Sequence, residues 1–414
     1  MPVDLAVIGL GRLGLPLGRA ATAAGIATLG FDTDARTVAA LSAGRPPADG
    51  PLTPAELRRM LAGGFRATSD PDTLRRARTI AICVATPAPQ HPDPDRGPVE
   101  AAARTLAPRL RPRSTVLLES SAYPGTTEEF LRPLLEQGSG LRAGRDFHLA
   151  CAPNRIGPDE QPPGDTGAPR VVGGLTAGCT ESAAAFYRRI THRVVRARGP
   201  REAETVHLLE SHYRQVNTAL ANEMALFCHD TGVDLWEVLR CAETGPFGFR
   251  ALRPGVGGHG AQTAPLTHRG PGRPPRLVEL ARRINHGMPG YVVDRCADLL
   301  NERGKALRGA RIVLLGVARR PDAGDEQGAL ARQIAERLMS LGSQLSYHDP
   351  YVPHWRVGGR PVPRAEPLVE AAAAADLTLL LRHHRGYDLQ VLTAKTELLL
   401  DTQGATPAGT AHRL

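Results

Sequence analysis

At 414 residues the chain is long enough for two or three domains, each with a core of its own. Lys and Arg total 51 against 42 Asp and Glu, a formal charge of +9, and Lys305 and Lys395 are the only lysines. The arginines are spread along the chain without interleaved aromatics, which argues against a nucleic-acid surface, and no apolar run approaches the ~20 residues of a membrane helix.

Residues 4–10 are a short apolar run entering a glycine turn, with no basic n-region or cleavage site, so they read as a first strand and not as a signal peptide. A helix is expected at 15–24, and strands at 27–31, 79–84 and 115–119, an alternation that argues a parallel, doubly wound sheet. Residues 147–151 are strand-like. A long helix follows at 205–231, apolar at Val206, Leu208, Leu209, Val216, Leu220, Met224 and Phe227, and is expected both to connect domains and to form a dimer seam. Beyond a Pro-, Gly- and Arg-rich stretch at 250–276, a helix is expected at 277–284. A second alternating unit opens with a strand from Arg311, a helix at 329–341, a strand at 344–347 and apolar runs at 377–381 and 397–400. The expected domains are 1–200 for a dinucleotide, 201–300 for dimerisation and active-site elements, and 301–414 for the second Rossmann-like unit. The six cysteines (Cys83, Cys151, Cys179, Cys228, Cys241, Cys296) form no Cys-x-x-Cys pair and read as buried thiols of a reducing compartment, with the cytoplasm as the expected location.

Gly9-Leu-Gly11-Arg-Leu-Gly14 sits between a strand and a helix, with Asp32 ending the next strand. Gly9 permits the tight turn, Gly11 the approach of a pyrophosphate and Gly14 close helix–strand packing, while a carboxylate at Asp32 takes ribose hydroxyls and repels a 2′-phosphate. NAD is therefore expected over NADP. A structural glycine turn without cofactor is the alternative reading.

Further segments are Val84-Ala-Thr-Pro87, Glu119-Ser-Ser-Ala-Tyr-Pro-Gly-Thr-Thr127, Asn217-Thr-Ala-Leu-Ala-Asn-Glu223, Gly245-Pro-Phe-Gly-Phe249, Gly316-Val-Ala318 and Tyr347-His-Asp-Pro350. Taken collinearly over nearly the whole chain, they resemble the UDP-glucose/GDP-mannose dehydrogenase family, particularly its UDP-N-acetylhexosamine 6-dehydrogenase branch. The resemblance implies an α/β fold of two Rossmann-like doubly wound domains joined by a long central helix, a nucleotide-sugar substrate and a homodimer. It places Gly9, Gly11, Arg12, Leu13, Asp32, Thr86 and Ser121 at the cofactor, and Tyr123, Asn154, Arg155, His207, Asn217, Arg250, Gly257 and His259 at the substrate. No metal, nucleic-acid or membrane partner is expected.

The catalytic positions depart from that family. Its Gly-Gly-His-Cys loop reads Gly257-Gly-His259-Gly260 here, and the aspartate four residues on is Ala264. The family's glutamate is Asn154, its long-helix lysine His207, the asparagine one turn later Ser211, and a threonine Ser121; an arginine of the second unit falls near Gln327. A glycine cannot form the thioester through which the family makes uronic acids. Cys151, in an apolar run, reads as a structural thiol and not as a substitute nucleophile. With the cofactor turn retained, the expectation is an NAD enzyme that oxidises an alcohol transiently and is redox-neutral overall, a dehydratase or epimerase. His207, or else His259, would serve as base, with Ser121, Asn154 and Ser211 beside it. A setting in specialised sugar biosynthesis, such as antibiotic pathways, is expected, and the GDP-octose dehydratase branch of lincosamide pathways resembles the same family. Two alternatives stay open: a non-catalytic NAD and nucleotide-sugar binder or scaffold, and a single-step alcohol dehydrogenase. For single residues, His207 also reads as a core or interface histidine, Tyr123 as packing, Arg250 and Arg253 as solvated arginines, and His383 and His384 as a strand end without metal-ligand spacing.

Overall fold

The computed structural model describes residues 3–47, 50–85, 96–154, 169–245, 275–324, 326 and 330–414. Thr86, Arg155, Arg250, Arg253, Gly257, His259, Gly260, Ala264 and Gln327 lie outside the described residues. The chain divides into two compact units, 1–210 and 211–414.

In the first unit β1 (Val3–Ile8), β2 (Thr28–Phe31), β3 (Arg66–Thr68), β4 (Ala77–Ile82), β5 (Thr115–Leu118), β6 (His148–Cys151), β7 (Arg170–Gly174) and β8 (Val194–Arg196) form one sheet in the order β3-β2-β1-β4-β5-β6-β7-β8. All neighbours are parallel except β6 and β7. Both faces are covered. On β1, Leu5 and Val7 enter one apolar cluster while Ala6 and Ile8 enter the other, so the strand is continuously apolar as buried parallel strands are. Helix α1 (Gly14–Ala23) follows β1, α2 (Ala35–Ser42) is capped by Asp34, and α3 (Pro54–Ala62) by a Thr53–Glu56 capping box. Then come α4 (Gly97–Leu106), α5 (Arg132–Ser139) and α6 (Ala177–Tyr187).

Helix α7 (Pro200–Asp230) starts five residues earlier than its apolar pattern predicts, because its first turn is polar. Ser211, Gln215, Thr218 and Asn222 are buried along it, whereas Leu209, Tyr213, Leu220 and Phe227 are 67, 60, 50 and 57% exposed. At ~100° per residue these two rows lie on opposite faces, so the usual amphipathic order is inverted. Asn222 Nδ2 donates to Asn285 Oδ1 (2.8 Å), and Asn285 Nδ2 to the Gln215 carbonyl (3.1 Å).

The second unit also holds α8 (Leu235–Ala242) and α9 (Arg276–Glu302). Helix α9 runs well past the 277–284 expected from the sequence. Gly287, Pro289 and Gly290 read as a stop, but Met288, Val292, Val293, Cys296, Leu299 and Leu300 are drawn into the unit's main core, and burial carries the helix through the proline. Strands β9 (Arg311–Leu315), β10 (Gln344–His348), β13 (Leu377–Leu380), β14 (Leu399–Asp401) and β15 (His412–Arg413) form a parallel sheet in the order β10-β9-β13-β14-β15. Helices α10 (Leu330–Ser340), α11 (Leu368–Ala374) and α12 (Leu389–Lys395) and the hairpin β11 (Arg356–Val357) and β12 (Arg360–Pro361) complete it. Among the described residues no helix is long and apolar enough to cross a membrane.

Candidate functional site

The glycine turn after β1 has the shape that a dinucleotide requires. Gly9 has φ +95°, and a Cβ there would lie 2.9 Å from the Cys83 carbonyl oxygen. A Cβ on Gly14 would lie 1.9 Å from the Gly9 carbonyl oxygen and 2.8 Å from Val7, so only glycine lets α1 approach the strand. A Cβ on Gly11 would meet nothing within 4 Å, leaving the backbone open to a ligand. Leu13 occupies the N-cap of α1 with no side-chain cap, and Arg12 is exposed beside it. Asp32 accepts from Leu10 N–H through Oδ2 (2.8 Å) and from Asp34 N–H through Oδ1 (3.0 Å), and each oxygen keeps a lone pair for a ribose hydroxyl.

Two strands along the same carboxyl edge, β5 and β6 deliver Ser121 and Asn154. The Asn154 N–H donates to the Glu119 carbonyl (3.4 Å). The Glu119 side chain, fully buried, accepts from Tyr187 Oη (2.5 Å) and from Arg170, whose guanidinium lies 4.8 Å over the Tyr187 ring. Burial alone would lower the Arg170 pKa, but Glu119 and Tyr187 outweigh it and keep the arginine charged; burial and Glu119 push the Tyr187 hydroxyl up. This triad pins the end of β5.

Ser121 Oγ is 3.3 Å from His207 Nε2, 86 positions away on α7. The turn between them is held to α7 by Glu204, a residue the sequence reading did not single out. Its Oε2 accepts from Gly125 N–H (2.6 Å), and its Oε1 from Thr127 N–H (2.8 Å) and Thr127 Oγ1 (2.6 Å). Burial pushes the Glu204 carboxyl up. A glutamate in the first turns of a helix reads from sequence as a dipole partner, so its spacing of three from His207 was the only available signal. Tyr123 is half-buried, and its carbonyl accepts from Thr126 N–H and Oγ1. The structure therefore brings Ser121 and His207 together, with Asn154 and Tyr123 on adjoining segments. Ser211 is buried one turn further along α7, while the Asn217 amide donates back to the Tyr213 carbonyl of its own helix (2.7 Å). Cys83 and Cys151 are buried, and burial pushes both thiols well up, so neither presents a thiolate.

Unit two repeats the turn with a different filling. Gly316 has φ +73°, and Asp349, fully buried, accepts from Val317 and Ala318 N–H (both 2.9 Å) and from Tyr351 N–H (2.9 Å). His384 Nδ1 accepts from Asp322 N–H (2.9 Å), which places the ring hydrogen on Nε2, the donor to Asp349 Oδ2 (3.1 Å). Burial alone would raise Asp349, but His384 and the surrounding N–H donors hold its carboxyl below the usual range.

Three matched segments cover most of the chain: the UDP-glucose/GDP-mannose dehydrogenase family's NAD binding domain at residues 3–191, its central domain at 201–287 and its UDP binding domain at 313–407. The UDP-N-acetyl-D-glucosamine 6-dehydrogenase of Pseudomonas aeruginosa is 32% identical over 362 residues, covering 84% of this chain and 83% of that protein. The UDP-N-acetyl-D-mannosamine dehydrogenase of Pyrococcus horikoshii is 31% identical over 351 residues, 84% of each chain. The solved structure of UDP-D-ManNAc dehydrogenase from Pyrococcus horikoshii superposes with a TM-score of 0.87 at 28% identity, covering 99% of this chain and 98% of that one. NAD is the cofactor, and the glycine turn with Asp32 fits it.

Proposed function

Because the chain belongs to the UDP-glucose/GDP-mannose dehydrogenase family, we propose that it is an NAD-dependent nucleotide-sugar enzyme whose reaction stops short of the uronic acid and is redox-neutral overall, a dehydration or epimerisation through a transient ketone. The observation that carries this reading is the Ser121–His207 pair, 3.3 Å apart at the carboxyl edge of the sheet that bears the dinucleotide turn. NAD, which the glycine turn at 9–14 and Asp32 would hold, would supply an acceptor for the hydride of a sugar carbinol and the means to return it. Ser121 Oγ orients the carbinol hydroxyl, and His207 takes its proton as that hydride leaves. His207 passes that proton to solvent, and the free imidazole then removes the proton of the neighbouring C–H, which the ketone acidifies; the imidazolium returns this proton to the β-hydroxyl, which departs as water, and the enone is reduced by the hydride at its β-carbon and a solvent proton at its α-carbon. For an acyl step, Gly260 stands at the position of the family's nucleophile, and the buried thiols Cys83 and Cys151 offer no replacement. A specialised sugar pathway, as in antibiotic biosynthesis, would supply such a substrate.

The nucleotide falls to the second unit, where Arg319 and Arg320 follow β9 and Arg382 follows β13 along one carboxyl edge. The exposed row Leu209, Tyr213, Leu220 and Phe227 on α7 is covered by a second copy in a two-fold dimer. Light scattering giving a monomer mass at micromolar concentration overturns the dimer.

The reaction is tested with a panel of nucleotide sugars and catalytic NAD⁺ in deuterated water. The expected product has lost 18 Da or changed configuration, carries one solvent deuteron, and forms without net absorbance change at 340 nm. A uronate overturns the reading. Stoichiometric NADH favours single-step alcohol oxidation, and NAD binding without any turnover favours a non-catalytic binder.

A further inference from the structure

Glu204 is 1% exposed, and among the described residues no cation pairs with it. A buried carboxylate without a counter-ion is expensive, and here burial raises its pKa, so ionising it works against stability. What it does have is three donors, all from the single turn at 124–127. That turn puts Gly125 at φ +98°, where a Cβ would lie 3.1 Å from the Glu129 carboxylate, so the backbone forms a small nest around the Glu204 oxygens. Ser121 lies at the start of this loop, and His207 lies three residues after Glu204, on the same side of α7. At the surface Arg201 pairs with Glu128 and Glu129, a second tie between helix and loop, but an exposed one.

We propose that Glu204 is a positioning residue: as a carboxylate it locks the 124–127 turn onto α7 and thereby sets the Ser121 Oγ–His207 Nε2 contact. The proposal rests on the reading of that pair as the proton-handling centre. A glutamine keeps the shape but turns an N–H donor toward one of the three donors, so the lock loosens while the fold survives. Glu128 is the charged neighbour and Cys151 the titratable one that face Glu204 from the loop and from β6.

The test uses the full chain with NAD bound, its histidines ¹³C-labelled, and the His207 imidazole signal identified by its loss in His207→Gln. In Glu204→Gln the His207 signal should move toward its position in Ser121→Ala, as the Ser121 contact loosens. Arg201→Ala should leave it in place. An unchanged His207 signal in a folded, NAD-binding Glu204→Gln protein overturns the proposal. Should that variant not fold, Thr127→Val removes one donor and keeps the backbone; a smaller shift of the same signal supports the lock, and none overturns it. On a turned-over substrate, Glu204→Gln should lower kcat about 10- to 100-fold with little change in KM. In the Ser121→Ala background that loss should largely vanish, whereas additive losses would mark a merely structural role. Because the imidazole signal needs no substrate, a silent substrate panel leaves this test standing, and a uronate product overturns the reaction without touching the lock.

Discussion

The turns after β1 and β9 are built on one plan. In each, a glycine of positive φ ends the first strand and donates its N–H to the residue ending the second, Gly9 to Phe31 and Gly316 to His348, both at 2.9 Å. In each, the next residue is an aspartate that accepts backbone N–H groups from the glycine turn and from two residues on, Asp32 in one unit and Asp349 in the other. The difference lies in what fills the remaining valences. Asp32 is half-buried with lone pairs to spare, and the backbone at Gly11 is open; Asp349 is fully buried with an imidazole, His384, seated against it. One backbone device thus leaves its acid accessible in the first unit and closes it into internal packing in the second. A glycine turn with an acid at the right offset is a fold signal first, and a cofactor signal only when the acid stays accessible.

The widest gap is expected between the two imidazoles: His207→Ala should slow turnover by ~10²–10⁴-fold with NAD affinity kept, whereas His384→Ala should lower the melting temperature and leave NAD binding intact. Kinetics and calorimetry on both variants decide it, and a His384→Ala protein that loses NAD would show the units to be less separate in role. Next come the aspartates. Asp349→Ala leaves the His384 N–H and the Val317, Ala318 and Tyr351 N–H groups without their acceptor, and at about 1–3 kcal/mol per unmet buried donor it should cost several kcal/mol by denaturant unfolding, without changing NAD affinity. Asp32→Ala should do the reverse, weakening NAD roughly 10- to 100-fold by titration calorimetry with a modest stability loss.

A smaller effect concerns acid. The Asp349 carboxyl is depressed in the folded state, so its contribution is present above the unfolded value near 3.8 and lost as pH falls through the lower folded value. Glu204 runs the other way: its folded pKa is raised, so its contribution to stability is present below 4.5 and declines as pH rises through the folded value. Denaturant midpoints measured from pH 3 to 7 should therefore show less acid sensitivity in Asp349→Asn, and less loss of stability with rising pH in Glu204→Gln. The smallest expected effect is at Arg201: its ion pairs are exposed, and Arg201→Ala should leave the thermal midpoint unmoved at physiological salt.

Much of this was legible along the chain. The alternation of apolar runs and helical stretches marked β1, β2, β4 and β5 to within two residues, and the second unit nearly as closely, because burial on both faces leaves a local record in composition. Gly9, Gly11 and Gly14 marked the tight turn after β1 for the same reason: the steric demand at each position is set by its own backbone. The length of α9 was not legible, since Pro289 speaks locally against a helix that only the unit's core sustains.

The kind of fold, the glycine turn after β1 and the long helix were therefore legible from sequence alone, because all three depend on neighbours a few residues apart. Tertiary structure alone decided that Ser121 meets His207 across 86 positions, that Glu204 spends its carboxylate on the Gly125–Thr127 turn, and that His384 settles beside Asp349. These are contacts between distant segments. No residue's propensity encodes them; they arise because burial of the two sheets brings loop ends together, and the polar groups trapped there must find partners in one another.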